Sequence, residues 1–136
     1  MNSAILVVDC DLGFVFWLGH ILDRAGYEAF PARSVPDALK LITELHLSVS
    51  LVVVNYSLPG VATLIATMRR AQKSLKIMAL VEDASGPTPL AVDAQYCKPG
   101  VINEYSTKAE ILQIIRTLLS KRDWPALFNN EPFLLV

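Results

Sequence analysis

Two kinds of apolar pattern alternate along this chain. Continuous apolar runs, clearest at residues 4–8 and 51–54, are typical of strands buried on both faces of a parallel sheet. Between them, apolar residues recur every three or four positions, which indicates helices. The predicted strands are residues 4–8, 27–31, 51–54, 77–81 and 95–97, and the predicted helices are residues 11–25, 34–45, 61–72 and 107–122. This alternation predicts right-handed crossovers and a parallel sheet covered by helices on both faces, with residues 51–54 as its central strand.

Local signals define several helix ends. Gly26 follows the last periodic residue of the first helix and predicts its C-terminal cap. Ser34 is predicted to cap the second helix at its N-terminus. Asp11 immediately precedes the first helix, where an aspartate is more often an N-cap than a ligand.

Two segments interrupt the alternation. Residues 82–93 contain Gly86, Pro87 and Pro89, and a loop, a fifth strand and a full helix do not all fit between the fourth strand and Lys98. We therefore expect an irregular loop there, with the fourth helix short or absent.

The C-terminal segment, residues 123–136, is too apolar for a solvated linker. It contains seven large apolar residues: Trp124, Leu127, Phe128, Phe133, Leu134, Leu135 and Val136. We predict a domain at residues 1–122 and an ordered extension at 123–136. Because Pro125 and Pro132 oppose one continuous helix, we expect this extension to dock in an extended form, on its own subunit or on a twofold mate.

Four short motifs follow the predicted strands in order. They are Val7-Val8-Asp9, Val53-Val54-Asn55, Leu58-Pro59-Gly60 and Lys98-Pro99. Together they resemble the receiver domains of bacterial two-component response regulators, over roughly residues 4–122. The resemblance implies a flavodoxin-like fold with five parallel strands in the order 2-1-3-4-5 and a working site at the carboxyl ends of the strands.

The resemblance also implies a phosphorylation pocket, and most of its positions are altered here. Such a pocket has two acidic residues after the first strand, a phosphate-accepting aspartate after the third, a hydroxyl residue ending the fourth, and a lysine before proline. The corresponding residues are Asp9, Cys10, Asn55, Val81 and Lys98, of which only the first and last match. Gln95 stands where the family often has a rotating aromatic residue.

These changes remove the chemistry that the pocket would perform. An amide at Asn55 has no anionic oxygen with which to attack phosphorus. Mg²⁺ prefers carboxylates, but Cys10 and Asn55 offer none, even if Asp11 turned inward to help. We therefore predict no catalytic residue and no metal or other cofactor, and we expect Asp9 and Lys98 to neutralise each other.

Several residues allow more than one interpretation. Cys10 could be a redox sensor, but a small buried filler is the simpler interpretation, and Cys97 is expected to be a strand side chain and not its disulfide partner. His20 and His46 are expected to be surface or helix-end residues. Asn55 could merely fill space, or its amide could lock the neighbouring loops.

The Lys98-Pro99 bond is typically cis in the family, where it shapes a tight turn. We favour that role for Lys98-Pro99 together with the pairing of Lys98 to Asp9.

Composition narrows the classes of partner. The 12 basic and 13 acidic residues nearly cancel, which argues against direct nucleic-acid binding. Hydrophobic residues make up 53% of the chain, but no apolar run is long enough for a membrane helix, so a full core or a subunit interface should absorb them. The N-terminus lacks signal-peptide features, and we expect a cytoplasmic location.

The leading hypothesis is a degenerate receiver that binds signalling proteins without phosphorylation and is not an enzyme. A homodimer is left open. A small-molecule or redox-responsive binding domain that uses the crevice at the strand ends is the alternative.

Overall fold

The computed structural model describes residues 3–46, 48–82, 92–98 and 105–130, and for 105–107 and 121–130 it describes the backbone. Five strands form one sheet: β1 Ala4–Val8, β2 Glu28–Ala32, β3 Leu51–Asn55, β4 Lys76–Val81 and β5 Ala94–Cys97. All neighbouring strands are parallel, in the order β2-β1-β3-β4-β5. This confirms the flavodoxin-like topology predicted from the sequence.

Four helices accompany the sheet in the described residues. They are α1 Leu12–Arg24, α2 Val35–Leu45, α3 Val61–Ala71 and α4 Tyr105–Asn130. Residues of α1 and α4 share one apolar cluster with one face of the sheet, and residues of α2 and α3 share a second cluster with the other face. Every residue of β1 and β3 is buried, which explains why both read as unbroken apolar runs.

The predicted helix ends are confirmed. The Asp11 carboxylate accepts a hydrogen bond from the Phe14 N–H at 3.2 Å, and Ser34 Oγ accepts one from the Asp37 N–H at 3.2 Å. Gly26 has φ of +94° just after α1, the left-handed conformation that favours glycine. The Tyr27 N–H still donates to the Leu22 carbonyl at 3.0 Å, so β2 begins one residue later than predicted.

Sequence reasoning was wrong about the last helix. We predicted that it ends at residue 122 and that an extended segment follows, but α4 continues through Pro125 to Asn130. A proline within a helix removes one backbone hydrogen bond and kinks the axis, but it does not always end the helix.

Other expectations fall outside the described residues. They concern the loop at 83–91, the Lys98-Pro99 bond and the docking of residues 131–136. Among the residues that the structure describes, none of the helices combines the length and apolar character needed to span a bilayer.

Candidate functional site: the carboxyl edge of the sheet

The site lies where three parallel strands end. Asp9 directly follows β1, Asn55 is the last residue of β3, and Lys98 directly follows β5. Because the strands are parallel, their carboxyl ends share one edge of the sheet, and the loops that leave them converge there. The structure therefore brings together residues that are far apart in the sequence.

Asp9 is the centre of this site. It is completely buried, and both of its carboxylate oxygens are hydrogen-bonded. Oδ1 accepts from Asn55 Nδ2 at 3.0 Å and from the Asp11 N–H at 3.2 Å, while Oδ2 accepts from Lys98 Nζ at 2.7 Å. A buried carboxylate needs such partners, because burial without them would cost several kcal/mol.

The amide of Asn55 is engaged at both ends. Nδ2 donates to Asp9, and Oδ1 accepts from the Ser57 N–H at 2.9 Å and from Ser57 Oγ at 2.7 Å. A carboxylate can only accept and a backbone N–H can only donate, so these partners allow one orientation of the amide. Of the two interpretations of Asn55, this geometry favours the amide that locks the loop after β3.

Lys98 supplies the positive charge of the site. Its ammonium lies 2.7 Å from Asp9 Oδ2 and 3.5 Å from Asp11 Oδ2, and it stands 5.0 Å from the centre of the Phe14 ring. The predicted pairing with Asp9 is confirmed. Asp11 contributes in two ways, since it also caps α1.

The pKa of Lys98 reflects these neighbours. Burial by itself lowers it, but the hydrogen bond and charge of Asp9, together with Asp11, outweigh burial and raise the pKa above its ordinary value of 10.5. A lysine whose pKa is raised on folding stabilises the native state while it is protonated. That contribution is complete below the unfolded pKa and is lost as pH rises through the folded pKa.

We therefore expect the stability of the protein to fall with rising alkaline pH partly because Lys98 loses its proton. Denaturation midpoints measured from about pH 10 to about pH 12 would show this, because the loss begins only above the unfolded pKa. The control is Lys98→Arg, which stays charged in this range and should show a shallower decline. Equal pH slopes for the two proteins would contradict the assignment.

The residues of this edge do not fit Mg²⁺. The Asn55 amide N–H and the Lys98 ammonium already bind the two Asp9 oxygens, and a cation there would face donors where it needs lone pairs. The described residues contain no group of three or more His, Cys, Asp or Glu side chains that could hold a metal ion. The charge of Lys98 instead neutralises the buried carboxylate.

The structure contradicts the expected burial of Cys10 and agrees with the expected place of Cys97. Cys10 is exposed, so the prediction that it is a buried filler is wrong. Successive residues of an extended chain point in opposite directions, and since Asp9 turns inward, Cys10 faces solvent. Cys97 is a strand residue at the end of β5 and is also a free thiol, with Sγ 3.3 Å from the Glu82 carbonyl.

The remaining candidates lie at the edges of the site or away from it. Val81 ends β4 and pairs with Cys97 in the sheet register. An aliphatic side chain therefore stands where the resemblance puts a hydroxyl residue. Gln95 lies within β5. His20 is exposed on α1, and His46 is the exposed C-cap of α2.

Sequence reasoning missed two contributors. Ser57 holds the Asn55 amide, and the Phe14 ring lies beneath the Lys98 ammonium. A serine two residues after an asparagine at a strand end is a common turn pattern and could have been noticed. The contact with Phe14 joins residues distant in sequence, and no local signal announces it.

Comparisons with solved structures agree with this topology. A response regulator receiver domain protein (CheY-like) from Methanospirillum hungatei aligns with a TM-score of 0.74 and 20% identity, over 92% of this chain and 99% of that one. The chain has the fold of a response regulator receiver domain. The response regulator TrrA from Thermotoga maritima, solved in complex with Mg(2+)-BeF, aligns with a TM-score of 0.66 and 24% identity, over 85% of this chain and 98% of that one.

The same fold occurs within a larger protein. NtrX from Brucella abortus, solved in complex with ADP, aligns with a TM-score of 0.74 and 17% identity, over 96% of this chain but only 29% of that one. The sequence itself matches no family model, and no curated protein matches it. The receiver fold suggested by the four sequence motifs is thus shown by similarity to solved structures.

Proposed function

We propose that this protein is a degenerate receiver that acts in signal transduction by binding other proteins, without aspartyl phosphorylation and without enzymatic activity. The observation that carries the proposal is the position of Asn55 and the hydrogen bonds of its amide. It stands at the end of β3, where the resemblance puts the phosphate acceptor, and its amide is bound by Asp9 on one side and Ser57 on the other.

Charge and hydrogen bonding support the same proposal. Lys98 is already paired with Asp9 at 2.7 Å, so the lysine that would meet a phosphoryl group is held by a carboxylate of the same chain. The neutral amide oxygen of Asn55 cannot attack phosphorus to form an acyl phosphate. Val81 has no hydroxyl with which to hydrogen-bond to a phosphoryl group. The edge is held in one arrangement, which suits a constitutive binding surface better than a phosphate-driven switch.

We expect the protein to be inert to phosphodonors. After incubation with acetyl phosphate and Mg²⁺, its mass should be unchanged, and its amide spectrum should not respond to beryllofluoride with Mg²⁺. A positive control can be built in the same chain as Cys10→Asp/Asn55→Asp/Val81→Thr, which restores the altered pocket residues. A phosphoryl adduct on the unmodified protein, or tight Mg²⁺ binding at Asp9, would refute the proposal.

The partner of the proposed function is a cytoplasmic signalling protein. Capture of binding proteins from the native cell, with and without phosphodonor, would identify it. The proposal requires the same partner under both conditions.

The second interpretation, a small-molecule or redox-responsive domain, has no comparable observation in its favour, because hydrogen bonds within the chain engage the polar groups of Asp9 and Asn55 at the crevice.

A further inference from the structure

A second surface lies away from the strand-end site, between α1 and α2 at the β2 edge of the sheet. An open groove of about 340 Å³ runs there, with Pro31 and Ala32 of β2 among its lining residues. Its α1 side carries two exposed apolar side chains, Phe16 at 64% exposure and Leu12 at 43%. They are two of the three large apolar residues exposed within the described part of the chain.

The α2 side of the groove is charged in a regular order. Arg33, Asp37, Lys40 and Glu44 all line it and are all exposed, so the signs alternate as plus, minus, plus, minus. Arg33 Nε and Asp37 Oδ2 lie 3.6 Å apart within the chain. When this order is reversed it becomes minus, plus, minus, plus. Two copies of the row laid antiparallel therefore place every charge opposite its complement.

The strand edge beside the groove is poorly suited to strand pairing. The Glu28 N–H donates to Ser3 and the Ala32 carbonyl accepts from Asp9, so these residues face β1. By alternation, Ala29 and Pro31 turn their backbone groups to the open edge, where Pro31 has no N–H to donate. A contact made through side chains and helices is therefore favoured at this edge over an extension of the backbone ladder.

We propose that the groove is a homodimer interface, in which the α2 helices of two copies lie antiparallel across a twofold axis between Asp37 and Lys40. Arg33 then faces Glu44 of the second copy, and Asp37 faces Lys40 of the second copy. A twofold contact uses the same patch on both subunits, so the patch must complement itself. The alternating row meets that requirement.

The charged row and the exposed apolar side chains of the groove have different roles in the proposed dimer. Exposed ion pairs contribute little affinity, so the charged row selects the partner and sets the antiparallel register. Affinity comes from covering Phe16 and Leu12, which a monomer leaves in water. No residue of the strand-end site takes part, so this proposal and the proposed function can fail separately.

The test uses two variants of opposite charge. Arg33→Glu/Lys40→Glu makes the row entirely acidic, and Asp37→Lys/Glu44→Lys makes it entirely basic. We expect the unmodified protein to sediment as a dimer, each variant alone to sediment as a monomer, and a mixture of the two to form a heterodimer. Circular dichroism must show that both variants are folded, and Arg70→Glu/Lys73→Glu, a double reversal elsewhere on the exposed surface, should remain dimeric.

A second pair of variants tests the contribution of the exposed apolar side chains. Phe16→Ala should weaken the dimer at least tenfold, whereas Leu45→Ala, which removes an exposed leucine that does not line the groove, should leave it unchanged. A parent that is monomeric at every concentration overturns the proposal and leaves the groove to a different protein or to another segment of this chain. A dimer that tolerates Phe16→Ala, or variants that fail to associate when mixed, overturns it as well.

Discussion

Replacing Lys98 with methionine is expected to lower the free energy of unfolding by about 3–5 kcal/mol, because it leaves the Asp9 carboxylate buried without a counter-charge. Asp9 is wholly buried, and the Lys98 ammonium is its only cationic hydrogen-bond partner among the described residues. The two remaining donors, Asn55 Nδ2 and the Asp11 N–H, are neutral. Urea denaturation monitored by circular dichroism would measure the loss.

The control for this substitution removes both charges. Asp9→Asn/Lys98→Met should recover part of the loss, because the amide oxygen introduced at residue 9 can still accept from the Asn55 amide and from the Asp11 N–H, while its NH2 group is left without an acceptor. Lys73→Met, at an exposed position in the loop before β4, should have almost no effect. The argument fails if the double variant is no more stable than Lys98→Met alone.

Replacing Asn55 with aspartate is expected to destabilise the protein by about 1–3 kcal/mol at neutral pH and not to restore full phosphorylation. The substitution removes the donor that lies 3.0 Å from Asp9 Oδ1 and puts a second negative charge against the first. The loss should shrink as pH falls and a carboxylate of the pair takes up a proton. Denaturation curves at neutral and acidic pH would show this trend.

Phosphorylation of the same variant should remain incomplete because the remaining pocket is unchanged. Cys10 points to solvent as a thiol, so Mg²⁺ lacks one of the carboxylates that it prefers. Val81 still offers no hydroxyl. Intact mass after acetyl phosphate treatment should show far less adduct on Asn55→Asp than on Cys10→Asp/Asn55→Asp/Val81→Thr. Equal adduct on both would show that Asn55 alone had blocked the chemistry.

The sequence by itself determined the layers of the fold. Short continuous apolar runs that end in turn residues are typical of strands covered on both faces, and β1 and β3 were predicted almost to the residue on this basis. The caps at Asp11, Ser34 and Gly26 could also be predicted from the sequence, because capping depends on side chains and backbone angles within a few residues. The pairing of Lys98 with Asp9 was predicted from the resemblance to receiver domains, which implies that both residues lie at the carboxyl ends of the strands.

Only the tertiary structure decided what depends on residues distant in the sequence. The orientation of the Asn55 amide is set by Ser57, which lies two residues away, and by Asp9, which reaches the amide only in the assembled sheet. Cys10 was misplaced because its position after a strand does not show which way its side chain points, and the inward turn of Asp9 directs the Cys10 side chain outward. The continuation of α4 through Pro125 was missed because proline usually ends or kinks a helix, and its local preference does not show which of the two occurs. Local patterns determine elements and caps because their causes lie within one or two turns of chain, while the site depends on contacts that exist only once the sheet has assembled.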